Sequence, residues 1–121
     1  MTMKKEVTTN TTATIEIINL TPHSINFVDD GGNQTMAIEP SGLIARVTTE
    51  TVVIGNIAGI PITTVKYGEV ENLPEEKEDT IYIVSSIVAQ RCKHRCDVFI
   101  PNDSVRDEKG RIIGCKSLAR V

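Results

Sequence analysis

Aromatic side chains are nearly missing from this chain of 121 residues: there is no Trp, and two Tyr and two Phe make up the whole 3%. The core must therefore be aliphatic, built from Ile, Val, Leu and Ala, and the prevalence of β-branched residues favours strands over helices. Histidine is almost as scarce, with two in the chain. No Gly-x-Ser-x-Gly, Walker loop or His-Glu-x-x-His occurs, so the usual hydrolytic and nucleotide-cleaving arrangements lack their parts. Ser85, Ser86 and His23 fall at no spacing that would join a nucleophile to a base, and His23, following Thr-Pro, reads as a turn residue. An enzyme is not expected.

Excess positive charge is lacking too. The net charge of -3 argues against a protein that coats nucleic acid by neutralising phosphates, and no polybasic patch suits a membrane surface. No apolar run approaches the ~20 residues of a spanning helix. The first twelve residues are polar and Thr-rich and lack the apolar centre of a signal peptide, so the chain is expected to stay in the cytosol, with residues 1–13 as a flexible arm. Cysteine is sparse and odd in number. Cys92, Cys96 and Cys115 fit free thiols of a reducing compartment. Cys92-Lys93-His94-Arg95-Cys96 lacks the usual zinc spacing and a fourth ligand, so neither a metal nor a cofactor is expected.

What remains is a succession of short β patterns between turn signals, long enough at 14–121 to make one β-rich domain with its own core. Thr14–Leu20, Ser24–Val28, Gln34–Ile38 and Leu43–Thr48 read as strands, the middle two joined by the turn Asp29-Asp30-Gly31-Gly32-Asn33. Residues 51–70 read as two or three short strands with bends or bulges at Gly55, Gly59 and Pro61, before the acidic loop 71–79. Thr80–Val84 is the strongest strand. Ser85-Ser86 can start a helix over 87–95, with Ile87, Val88 and Cys92 facing in and the arginines, Lys93 and His94 facing out. A strand over 97–100, stopped by Pro101, and a final hairpin complete a mainly β fold: an antiparallel Greek-key sheet or small barrel with one short α-helix.

The best candidate site is in the last quarter. Asp107-Glu108-Lys109-Gly110 reads as a hairpin turn, which would set Arg106 and Arg111 opposite each other. Like charges so placed repel unless an anion lies between them, and guanidinium groups grip phosphate bidentately. Phe99 and Tyr82 can stack on a base, Asn102 can read a ribose or base edge, and Ser85 can offer free N–H groups at a helix start. Each has a plainer alternative: Phe99 as core, Tyr82 as cross-strand packing, the arginines as a solvated turn held by Asp103, Asp107 and Glu108.

Asn19-Leu20-Thr21-Pro22-His23, Ile60-Pro61, Val65-Lys66-Tyr67-Gly68-Glu69-Val70, Ile81 to Gln90, and Val105 to Gly114 follow in an order that resembles a family of small phage and prophage proteins, the anti-Thoeris sponges. The resemblance covers nearly all of residues 15–120. It implies a decorated Greek-key domain that forms a homo-oligomer in the cytoplasm of an infected or lysogenic bacterium. It further implies that cyclic ADP-ribose signals of TIR-domain defence enzymes are bound and held without being degraded. Phe99, Asn102, Arg106 and Arg111 are the residues on which that role is placed. The alternatives are a structural or accessory phage protein that uses the terminal hairpin for protein contact, and a nucleotide-processing enzyme.

Overall fold

A computed structural model describes residues 14–121; the expected N-terminal arm lies outside the described residues. Eight strands and one helix follow in order: β1 (Glu16–Asn19), β2 (Ile25–Val28), β3 (Gln34–Ile38), β4 (Arg46–Ile57), β5 (Ile60–Glu71), β6 (Thr80–Ile83), α1 (Ser86–Arg91), β7 (Val98–Arg106) and β8 (Ile112–Ala119). The fold is mainly β with a single short helix. Six strands form one sheet in the order β1-β6-β7-β8-β2-β3, and β4 and β5 form a second sheet of two. Among the described residues, no helix is long and apolar enough to cross a membrane.

The antiparallel pairs β2–β3 and β7–β8 come from adjacent segments and obey local turn chemistry. Parallel pairs β1–β6, β6–β7 and β2–β8 join them into one sheet. A parallel neighbour needs a crossover, and for β6 and β7 the crossover carries α1. Alternation along the inner strands sorts the aliphatic residues onto two faces. Ile18, Leu20, Tyr82, Val84, Val98 and Ile100 join a core closed by Val88, Ala89 and Cys92 of the helix and by Ala45, Val47, Val70 and Leu73. Ile17, Ile25, Phe27, Ile38, Ile83, Cys115 and Leu118 form a second cluster.

Asn19 explains the first motif of the sequence. It is 1% exposed, and its amide donates to the carbonyls of His23 (2.8 Å) and Ile38 (3.1 Å) while accepting from the backbone N–H and hydroxyl of Thr21. A buried amide satisfied on every side fixes the turn through Pro22 and ties it to β3.

Two strand expectations are corrected. The region 43–70 is not a set of short strands but one hairpin of two twelve-residue strands. Its turn is Ala58-Gly59, both at positive φ (51° and 85°), the type I′ signature that matches strand twist. The Asn56 side chain accepts from the Gly59 N–H at 2.9 Å. Gly55 marks a bulge, as the sequence suggests, whereas Pro61 stays in the ladder opposite Asn56. Pro101 likewise does not end its strand, because β7 runs on to Arg106. The Asp97 and Phe99 carbonyls accept from Tyr82 and Val84, so alternation turns the Pro101 nitrogen to that same side. The β6–β7 pairing ends at Phe99, and the missing N–H breaks no ladder bond.

Candidate functional site

The arginines at the hairpin tip do not form a paired grip. A register shift between Val105 and Arg106 sets Arg106 opposite Ile112, and Arg111 falls in the turn. Arg106 donates to the Gly110 carbonyl at 2.6 Å. Arg111 donates through Nε to Asp107 Oδ2 at 3.1 Å. Asp107 Oδ1 accepts from the backbone N–H groups of Lys109 and Arg111, both at 2.9 Å. These bonds, the Arg111 N–H foremost, lower the Asp107 carboxyl from its ordinary value. The turn thus neutralises its own charge, which is the plainer of the two sequence readings.

The other sequence candidates are dispersed. Tyr82 is corrected from stacking platform to core: it is 1% exposed, its hydroxyl donates to the Glu75 carbonyl at 3.3 Å, and the Arg95 guanidinium lies 6.0 Å from its ring centre. Burial raises its phenol above the ordinary value. Arg95 is spoken for as well, by a bidentate pair with Asp97 (2.8 Å to each oxygen) and a bond to the Pro74 carbonyl at 2.9 Å. Phe99 is half-buried opposite Ile83, and Asn102 is exposed opposite Ser117. Seven steps at ~3.3 Å separate Phe99 from Arg106 along β7, roughly 20 Å, too far for one small ligand to touch both. Ser85 is exposed at the N-cap, and its side chain makes no capping bond.

The structure assembles a different group of residues beside α1. This helix is six residues long, shorter than the sequence suggests, and buries Val88 and Ala89 while Cys92 caps it. Its outward side meets the root of β5. An open hollow of about 410 Å³ lies between them, lined by Tyr67, Ser86, Ile87, Gln90, Arg91 and Lys93. That volume falls in the range of small-molecule sites. The Arg91 guanidinium stands 5.9 Å from the Tyr67 ring centre, within cation–π distance. The lining carries two positive charges and no negative one. A second hollow of about 310 Å³ continues past Arg91 to Gly68, Glu69, His94 and Arg95.

An aromatic face, two cations, an amide and a hydroxyl around one hollow can stack on a base, pair with phosphate and hydrogen-bond a sugar. Sequence reasoning placed the arginines, Lys93 and His94 on the outward side of the helix, which was the available signal. Tyr67 was hidden, because its partner across the hollow is twenty-four residues away in the chain.

The thiols fit packing. Cys92 and Cys115 are buried and free, and burial raises both from the ordinary thiol value, leaving them protonated and weakly nucleophilic. Cys96 is exposed. Among the described residues, no group of three or more His, Cys, Asp or Glu side chains converges as a metal site would require. No protein-family model, curated protein or solved structure matches the chain.

Proposed function

We propose that this protein captures an anionic, nucleotide-type small molecule in the hollow beside α1 and holds it unchanged. The observation that carries this reading is the convergence of Tyr67, Arg91 and Lys93, with Gln90 and Ser86, on one hollow of about 410 Å³. The resemblance to the anti-Thoeris sponges names the ligand class, a cyclic ADP-ribose signal, whose purine, riboses and pyrophosphate call for those groups. Capture in the cytoplasm would then blunt TIR-based defence. Holding rather than cleaving is supported by the side chains at hand: the lining offers no carboxylate or imidazole as a general base.

The test is to incubate the protein with cyclic ADP-ribose isomers, remove free ligand, denature by heat and identify what is released. Intact ligand is expected. A changed product would make the protein an enzyme, and no uptake would reject the reading. Arg91→Ala and Lys93→Ala should each weaken uptake about tenfold or more, since hydrogen bonds to charged groups are worth ~1.5–3 kcal/mol. Arg111→Ala should leave uptake unchanged. The reverse pattern would return the site to the terminal hairpin.

A further inference from the structure

The β4–β5 ribbon presents more apolar surface than a lone hairpin can keep in water. Two-stranded hairpins are marginal in isolation. Val47 and Val70 at the root pack on the core, and β4 and β5 pair with no other strand. Farther out, Val53 and Ile54 are 65% exposed, Ile57 64% and Ile60 63%; Val65 and Tyr67, nearer the root, are exposed as well. Register puts Ile57 opposite Ile60, and sets Val53 opposite Thr63 beside the Thr51–Val65 pair. These pairs fall on opposite faces of the ribbon, with Ile54 at the bulge between Val53 and Gly55. Any occupant must therefore wrap the ribbon or extend it.

We infer that the occupant is a second copy of this chain, docked ribbon to ribbon, an inference that stands apart from the ligand reading. Three observations favour a copy. Between Val47 and Ile57, β4 carries one ionisable residue, Glu50, and it faces Lys66 across the ladder. The middle of the ribbon is thus charge-balanced, which offers nothing to a lipid headgroup or a strongly charged partner. The edges also differ. β5 is guarded by Pro61, Lys66, Glu69 and Glu71, whereas β4 has no proline and reads Thr-Val-Val-Ile through its middle. Charge and proline are what close an edge to added strands. A second β4, run antiparallel across a two-fold axis, supplies a matching neutral, β-branched row. Finally, the exposed side chains amount to several hundred Å², near the ~800 Å² each partner gives to a standard interface. Residues 1–13 bring only Met1, Met3, Val7 and Ala13 as apolar groups, too few to cover both faces.

Light scattering on the full chain as it elutes from a sizing column, over a dilution series, tests this. The expected result is a dimer or an even multiple, and a monomer at the same loading for the double variant Ile54→Lys with Ile57→Lys, its circular dichroism spectrum unchanged. Should the lysines disturb the ribbon, Ile54→Ser with Ile57→Ser is expected to raise the dimer dissociation constant about tenfold or more. A wild-type chain that is monomeric at every concentration overturns the inference, as does a serine variant that associates as tightly as wild type. A monomer that floats with phospholipid vesicles overturns it in favour of a membrane surface.

Discussion

The two long hairpins of this molecule are opposites. β7–β8 lies inside the six-stranded sheet and ends in a charged turn; β4–β5 pairs with no other strand and ends in an apolar one. At the charged tip, Asp107 takes three hydrogen bonds from within its own five-residue turn and Arg106 bonds the turn's backbone. At the apolar tip, Ile54, Ile57 and Ile60 stay more than half exposed. The contrast shows that conspicuous charge is a poor guide to unmet binding capacity. A charged turn can satisfy itself within a few residues, because hydrogen-bond donors and acceptors are available on every backbone unit. Exposed aliphatic groups have no such local remedy, since only another apolar surface takes them out of water.

The comparison is put under most strain at the core. Tyr82→Ala empties a fully buried ring site and is expected to cost about 3–5 kcal/mol, by analogy with Phe and Trp deletions, read as the shift in a urea unfolding midpoint. Thr63→Ala, on the exposed ribbon, should stay within about 0.5 kcal/mol. Equal effects would mean that ribbon and sheet unfold as one packed unit.

A finer version uses two glycines. A Cβ on Gly114 would stand 2.7 Å from the Asn26 carbonyl oxygen and 3.1 Å from Val28 Cγ1, where β8 passes β2. Gly114→Ala should therefore destabilise by about 1–3 kcal/mol, the usual range for overpacking. Gly55 has open space around its Cβ position. Gly55→Ala should be neutral, or stabilising by up to ~1 kcal/mol through the unfolded chain. Thermal melts of the two variants decide; a destabilising Gly55→Ala would show that the ribbon is crowded at its bulge.

The smallest effect belongs to the charged turn. The folded Asp107 carboxyl lies below its ordinary value, so its contribution is present at neutral pH. It is lost as pH falls from about 4, the ordinary Asp value, through the lower folded one. Amide exchange at Lys109 and Arg111, normalised for intrinsic rates, should lose protection in that window, and Asp107→Asn should abolish the change. Protection that persists unchanged into strong acid would mean that Asp107 does not hold the turn.

Much of the fold was legible in the sequence. Alternation revealed β2, β3 and β6, turn residues placed the hairpin at Asp29–Asn33, and the Ser85-Ser86 helix start is where α1 begins. The strand ends at Pro101 and in the 43–70 region were misread for one reason. Proline and glycine report a local backbone preference, but whether a missing N–H or a bend matters depends on the neighbouring strand. At Pro101 the neighbour has already ended; at Pro61 the strand lies at an open edge. The candidate site fared less well. Phe99, Asn102, Arg106 and Arg111 are close in sequence but spread along one extended strand and its turn, and extended chain separates residues quickly. Tyr82 alternates into the core because the helix covers that face.

Composition and short-range pattern alone settled that this is a mainly β protein with an aliphatic core, a short helix after β6 and a charged turn near its end, since each follows from backbone preferences acting over a few residues. Tertiary structure decided which strands lie side by side, that the 43–70 region stands out as a paired ribbon, and that Tyr67 meets Arg91 and Lys93 across a hollow. Those outcomes depend on packing between segments distant in the chain, where burial and shape complementarity outweigh any local preference.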